Sequence, residues 1–337
     1  MNMIIAAEVI DGINQIPDKT CAMCITSPPY YGLRDYGNTQ QIGLERTPEE
    51  YINRLVDVFR GVRRVLKDDG TLWVVIGDSY AGSGKGGQSS HIRSENWQPE
   101  YPRIGEIARK NAVTKYAGDP RAYGDIKNKD LIGIPWMLAF ALRNDGWYLR
   151  SDIIWSKPNV MPSSVKDRPT VSHEHIFLLS KSRRYYYDYE AIKEPAVNGD
   201  PASPRGSKGG NKLNAGLRKQ NAVGKRQYTD FNKRYVPVET RNKRDVWTIP
   251  TQPIKEAHFA TFPEKLVRPC ILAGSRVGDI VLDPFIGSGT TAIVASAEGR
   301  QYIGIDVNED YVRLAEQRIK SRGASDTFTV YRGRDEA

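Results

Sequence analysis

This sequence predicts an α/β fold around a mostly parallel sheet, and three observations predict it. Residues 47–76 read as a helix followed at once by an apolar run of strand length. Residues 277–306 read as strand, glycine turn, helix, strand and terminal acid. The 337 residues, 39% of them hydrophobic, suffice for one large domain with a buried core plus an insertion. Alternation of helix and strand favours parallel pairing with right-handed crossovers.

Taken in order, Ile4 to Ile13 reads as a strand and turn leading to a buried strand, Cys21 to Thr26. Ser27-Pro28-Pro29-Tyr30 is the loop at its carboxyl end, because two consecutive prolines allow neither strand nor helix to continue. Thr47-Pro48-Glu49-Glu50 starts a helix in which Tyr51, Leu55, Val58, Phe59, Val62 and Leu66 recur at helical spacing, and Asp68-Asp69-Gly70 ends it. Leu72 to Ile76 is a strand closed by Gly77-Asp78. Residues 79–130 are polar and glycine-bearing, a long excursion of the kind that carries function. Inside it, Gly82 to Gly87 suggests a phosphate loop, yet no Ser or Thr follows Gly84-Lys85 and Ser79 stands where the leading glycine belongs. Nucleoside triphosphate binding is not expected there. Pro135 to Arg143 is a helix, and Trp147 to Trp155 and Ser172 to Ser180 are strands. Leu266 to Ala273 reads as a helix, and Val277 to Asp283 as a strand before the tight turn Pro284 to Ser288. Gly289 to Gly299 is a helix with Gly299 as its C-cap, and Gln301 to Ile305 is a strand ending at Asp306.

Net charge is +9, and its placement matters more than its size. Between Pro201 and Arg244 stand Arg205, Lys208, Lys212, Arg218, Lys219, Lys225, Arg226, Lys233, Arg234, Arg241, Lys243 and Arg244 against only Asp230 and Glu239. This segment, rich in Gly, Asn, Ser and Pro, holds essentially the whole excess and cannot bury a core of its own. It reads as a phosphate-neutralising surface suited to DNA, with Arg205, Lys208, Arg218, Lys219, Lys225, Arg226, Lys233 and Arg234 as its expected contacts, or else as a solvated, partly disordered loop. Phosphate contacts position a duplex without reading it, so the recognition sequence is not legible here.

Three cysteines cannot form a disulfide framework, which points to a reducing, cytoplasmic setting. Cys21 and Cys24 form a lone CxxC that reads as core packing, and His173 and His175 share one strand face with no third ligand in view, so no metal is expected. No apolar run approaches the roughly 18 residues of a membrane span, and the first residues lack the basic start of a signal peptide.

The unit ending at Asp306 is how a nucleotide-like ligand is held: glycines admit close backbone approach, and the acid accepts from ribose hydroxyls. The 23 residues from Asp283 to Asp306 fit the roughly 20 expected of such a unit. The turn carries Gly287-Ser288-Gly289 without a third glycine, which suits a compact adenosyl ligand better than a pyrophosphate.

Ile25-Thr26-Ser27-Pro28-Pro29-Tyr30 resembles the catalytic motif of DNA amino-methyltransferases, and Asp283-Pro284-Phe285-Ile286-Gly287-Ser288-Gly289-Thr290-Thr291 resembles their S-adenosylmethionine-binding motif. The blocks Ile153 to Asn159, Glu174 to Lys181, Asp245-Val246-Trp247 and His258 to Pro263 are similar to that family as well. Here the catalytic half precedes the cofactor half with a DNA-reading segment between them, the family's permuted order. The resemblance implies a Rossmann-like, S-adenosylmethionine-dependent methyltransferase fold with a seven-stranded, mostly parallel sheet, one antiparallel strand and a basic DNA-recognition insertion. It implies a cofactor site of Asp283, Pro284, Phe285, Gly287, Gly289, Thr290 and Asp306, closed over by His258, Phe262 and Pro263. It divides the chain into a catalytic half (1–182, with the excursion), a target-recognition segment (183–250) and a cofactor half (251–337). At Ala7-Glu8 the chain departs from the family's Gly-Asp pair.

The chemistry expected at Ser27 to Tyr30 follows from the substrate. An exocyclic amine is a poor nucleophile because its lone pair is delocalised into the ring. Acceptors on its two hydrogens, the Ser27 hydroxyl and the Pro28 carbonyl, would localise that pair and aim it at the sulfonium methyl. Tyr30 offers a ring on which an extruded base can stack, and extrusion is needed because the amine is unreachable inside a duplex. Ser27 in this motif resembles enzymes acting on N4 of cytosine, whereas N6-adenine enzymes more often carry Asp or Asn; N6 of adenine stays as the alternative. Carbon-5 methylation needs a nucleophilic cysteine, and Cys270 lacks that context. An RNA or protein-amide methyltransferase and a non-catalytic DNA-binding protein are the readings from other classes. Double-stranded DNA is the expected partner and a cognate restriction endonuclease a candidate one, with no membrane; the sequence does not choose between monomer and homodimer.

Overall fold

The computed structural model describes residues 2–33, 40–81, 126–196, 239–252, 262–323 and 328–332. Its main unit comprises Met1–Asp188 and Asp245–Ala337. Apolar Met3–Ala6 forms β1, and the Glu8 carboxylate, accepting from the amides of Ile10 and Asp11, starts the short helix α1 (Val9–Asn14). Ile4 to Ile13 is therefore a strand and a helix, the acid cap supplying the helix start. Next is β2 (Cys21–Thr26), buried at every position. The Thr47 hydroxyl caps α2 (Pro48–Val65), with Pro48 tolerated in the first turn where no backbone donor is needed.

The third strand, β3 (Leu66–Ile76), begins six residues before the expected Leu72. Cys21 pairs with Leu66 but Met23 with Thr71, so Lys67 to Gly70 bulge from the ladder; the Asp68-Asp69-Gly70 signal ends the helix without postponing the strand. After α3 (Ile134–Asn144) come β4 (Tyr148–Ser156) and β5 (His173–Ser180). Two-residue strands β6 (Glu194–Pro195) and β7 (Thr240–Arg241) belong to the second unit, Tyr189–Arg244, where they pair antiparallel and Arg241 and Arg244 both bond the Glu194 carboxylate at 2.8 and 2.9 Å. The main unit resumes with β8 (Val246–Thr248), α4 (Glu264–Gly274) and β9 (Ile280–Asp283). This last strand starts at Ile280, because Gly278 turns with φ +83° and Val277 stands exposed. The chain closes with α5 (Thr290–Ala297), β10 (Gln301–Asp306), α6 (Glu309–Ser321) and β11 (Thr329–Arg332).

Among the described residues the main sheet has nine strands in the order β11-β1-β10-β9-β2-β3-β5-β4-β8, against the seven expected, because short β8 and β11 pair along its edges. Only β5 runs antiparallel to its neighbours. Leu72, Val74 and Ile76 join the core under α1, α2 and α3. Trp73 and Thr71 point the other way, within about van der Waals reach of Gly274 in α4. Such burial of both faces is what a parallel sheet requires. No helix among the described residues is long and apolar enough to cross a membrane.

The chain leaves β9 through α5 for β10 on one side and leaves β2 through α2 for β3 on the other. Since β2 and β9 are neighbours, the connections diverge between them and open a crevice at their carboxyl ends, where ligands bind in open α/β sheets.

Candidate active site

That crevice holds a cleft of about 720 Å³, within the ~300–1,000 Å³ usual for ligand pockets. The two motifs predicted from the sequence meet there. Ser27, Pro28, Pro29 and Tyr30 line it from the end of β2, and Pro284, Phe285, Gly287 and Thr290 from the end of β9. Asp306 lines it from the end of β10.

A single hydrogen bond ties the halves. The Thr26 hydroxyl donates to Asp283 Oδ1 at 2.6 Å across 257 residues of chain, joining the residue before Ser27 to the residue before Pro284. Asp283 also accepts from the Thr291 hydroxyl at 2.6 Å and the Phe285 amide at 3.1 Å. It is fully buried and does not itself line the cleft, contrary to expectation, because all three donors face inward. Burial pushes its carboxyl up to about 6, against the pull of those three bonds. Asp306 is likewise raised to about 6 by burial, opposed by the Asn308 and Gly287 amides, each at 2.9 Å. It presents a carboxylate to the cleft with one lone pair on each oxygen already engaged.

The glycine turn is held from behind. Gly289 has φ +83°, and a Cβ there would stand 3.0 Å from Ala315 Cβ in α6. Arg318, one turn on, donates to the Ser288 carbonyl and, at 2.7 Å, to its hydroxyl. Gly289 thus supports the turn without lining the cleft. Of the expected covering segment, Phe262 lines the cleft, Pro263 is buried at the start of α4, and His258 lies outside the described residues.

Tyr30 is fixed by a charged pair, Glu174 and Lys157, to which no motif in the sequence assigns a role. Its hydroxyl donates to Glu174 Oε2 at 2.7 Å, and Glu174 Oε1 pairs with Lys157, whose ammonium lies 4.3 Å from the centre of the Trp155 ring. Antiparallel pairing of Trp155 with Glu174 brings the pair together. Burial, then the Glu174 charge, holds the phenol well above its ordinary range, so it donates as a neutral group. Gly77 admits this packing, since a Cβ there would stand 2.9 Å from Tyr30 Cε2. The signal available in the sequence was a charge at the end of each apolar strand, Lys157 after β4 and Glu174 opening β5, where an unpaired charge is rarely buried. Glu174→Gln is expected to lower kcat/KM about tenfold or more, with Tyr30→Phe producing a similar loss and the double variant no further one. Losses that simply add would show that the two side chains act separately.

Asp78 accepts from the amides of Ser79, Gly133 and Ile134, which makes it a cap for α3. His175 bonds Asp152 at 2.9 Å and stacks on Phe177. Cys21, Cys24 and Cys270 are buried free thiols. Glu8, in place of the family's Asp, lines the cleft; its Oε2 caps α1, while Oε1 is buried without a hydrogen bond, 3.7 Å from Arg54. The phosphate-like loop at Gly82 to Gly87 lies outside the described residues, as do Arg205, Lys208, Arg218, Lys219, Lys225, Arg226, Lys233 and Arg234.

Residues 21–317 match the family model described as DNA methylase, the N6/N4 methyltransferase group. The chain belongs to that family of DNA methylases. It is 45% identical over 319 residues to the type II methyltransferase M.SmaI of Serratia marcescens, covering 95% of this chain and 91% of that one. With M.Cfr9I of Citrobacter freundii, also a type II methyltransferase, it shares 44% over 313 residues, covering 93% and 86%. The fold resembles that of TTHA0409 from Thermus thermophilus, solved with S-adenosyl-L-methionine (TM-score 0.58, 20% identity, both chains covered in full). It also resembles PvuII DNA methyltransferase, described as cytosine-N4-specific (TM-score 0.58, 17% identity, 98% and 89% covered). The methylase thus uses S-adenosylmethionine as methyl donor and acts on DNA. Its cleft sets a carboxylate at Asp306 beside the apolar side chains of Phe285 and Ile286.

Proposed function

We propose that this methylase modifies N4 of a cytosine extruded from double-stranded DNA. The observation that carries this reading is the Thr26–Asp283 hydrogen bond, which sets the Ser27-Pro28 loop beside the Pro284-Phe285 turn in one cleft. S-adenosylmethionine supplies, when bound, a methyl already activated on a sulfonium, so no strong base is needed before transfer. Ser27 Oγ and the Pro28 carbonyl accept hydrogen bonds from the two amine hydrogens and turn the nitrogen lone pair towards that methyl. As the nitrogen takes the methyl, the methyl's bond to sulfur breaks to leave a neutral thioether, and the nitrogen then gives one proton to water. Tyr30, held by Glu174 and Lys157, gives the base a fixed ring to stack on. Asp283 holds both loops without touching substrate, and Asp306 accepts from ribose hydroxyls. Choice of cytosine rests on Ser27 in the Ile-Thr-Ser-Pro-Pro-Tyr loop.

Nucleoside mass spectrometry of unmethylated DNA incubated with labelled S-adenosylmethionine tests the reading, with Ser27→Ala as control. Labelled N4-methylcytosine, absent from the control, is the expected result. Labelled N6-methyladenine would keep the mechanism and overturn the base.

Cofactor affinity should depend on pH through Asp306. A protonated Asp306 loses an acceptor, so affinity is expected to fall as pH drops through about 6, by up to about tenfold per unit below it. Calorimetric titration from pH about 5 to about 7 measures this, and Asp306→Asn should bind weakly with a flat profile.

The basic segment is proposed to neutralise the phosphates of the duplex. Paired alanine substitution of Lys225 and Arg226 should reduce the slope of log affinity against log salt by about two, with base preference unchanged. The proposed setting is the cytoplasm, with a cognate endonuclease as a candidate partner and monomer and homodimer as the alternative states. Sedimentation with and without DNA distinguishes the two states.

A further inference from the structure

Alternate residues leaving β4 line the cleft from its depth to its mouth: Trp155, Lys157, Asn159 and Met161. Trp155 is 3% exposed, whereas Met161 is 85% exposed, an extreme value for a large apolar side chain. Its loop is not loosely hung. The Lys157 amide donates to the Ser172 carbonyl at 2.8 Å and closes the base. Asn159 exchanges two hydrogen bonds with the Thr251 backbone, at 2.9 and 3.2 Å. The returning limb is pinned by Asp167 to Lys129 at 3.0 Å and by Arg168 over the Tyr80 ring at 3.7 Å. Pro158 and Pro162 stiffen the tip, and Lys166 is exposed beside it. A held loop thus offers Met161 to solvent at the mouth of the pocket proposed to receive a base, far more exposed than Leu33 on the same lining (48%) or Val165 on the same loop (40%). A single exposed apolar residue is ordinary at a protein surface; Met161 is singled out by its place at the rim of that pocket, on a loop held at its base.

We propose that Met161 is a wedge that enters the base stack of duplex DNA at the gap left by the target base. The inference rests on base extrusion as proposed above. An unpaired gap in a stack is refilled at low cost by an apolar side chain of this length, and architectural proteins use methionine and leucine in this way. The wedge acts by holding the base out, so Met161 is a positioning residue. Its contribution should vanish when the target has no partner to return to.

The experiment uses the full-length enzyme and a synthetic duplex carrying the site mapped from methylated plasmid DNA. One version is intact, and the other has an abasic site opposite the target. Met161→Ala is expected to lose about tenfold or more in kcat/KM on the intact duplex and less than about twofold on the abasic one. Met161→Leu, which keeps the apolar bulk, should restore most of the intact-duplex rate. Cofactor affinity, unchanged in both variants, serves as the folding control. Equal losses on the two duplexes, or no loss on either, overturn the wedge. A wild type that labels neither duplex defeats the parent reading, and the wedge with it.

Discussion

Ser27→Ala is expected to lower kcat by about two to three orders of magnitude while leaving the Kd for S-adenosylmethionine within about twofold, because one preorganised polar contact on the reacting group is worth that much. The hydroxyl is one of two acceptors proposed for the amine, and its partner, the Pro28 carbonyl, is untouched by the substitution. Tyr30 loses a side-chain hydrogen bond with Ser27 but keeps its bond to Glu174, which anchors the stacking surface. Loss confined to kcat would identify an interaction made in the transition state. Single-turnover methylation with calorimetry on the same preparations measures both quantities. A parallel weakening of cofactor binding would mean instead that Ser27 shapes the cleft as a whole.

Asp283→Ala should have the largest effect on the protein itself. It strips the acceptor from Thr26, Thr291 and the Phe285 amide in a fully buried place, at about 1–3 kcal/mol for each donor left unsatisfied. A total of about 3–5 kcal/mol is expected, and cofactor binding and kcat should fall together because both loops lose their common anchor. Asp283→Asn separates charge from geometry. The folded state keeps the Asp283 proton up to about 6, above the ordinary 3.8, so stability falls as pH rises between those values. The asparagine variant should lose about half of that slope, with the similarly raised Asp306 supplying the remainder. Denaturant unfolding at pH about 4, 5 and 7 gives the comparison, and an unchanged slope would place the titration elsewhere.

Much of this arrangement was legible in the sequence because it is local. Two prolines force a loop after β2, a glycine at φ +83° and its turn precede α5, and helical periodicity marks α2. Misreadings fell where tertiary partners override local signals. Asp68-Asp69-Gly70 bulges within β3 because Cys21 offers Leu66 a place in the ladder, and short β8 and β11 are strands only because β4 and β1 stand beside them. Asp283 looked like a lining residue because its motif borders the cofactor site, and only the fold shows the carboxylate turned inward.

The sequence by itself determined the chemistry on offer: a Ser-Pro-Pro-Tyr loop, an acid-terminated glycine-turn unit and a basic segment between them. Tertiary structure decided which of these meet. Thr26 and Asp283 touch across 257 residues because β2 and β9 are sheet neighbours, and Lys157 and Glu174 clamp Tyr30 because β4 and β5 pair in one register. Side-chain type is a property of each residue, but a hydrogen bond or ion pair needs two groups within about 3 Å, and only strand order and register fix that separation.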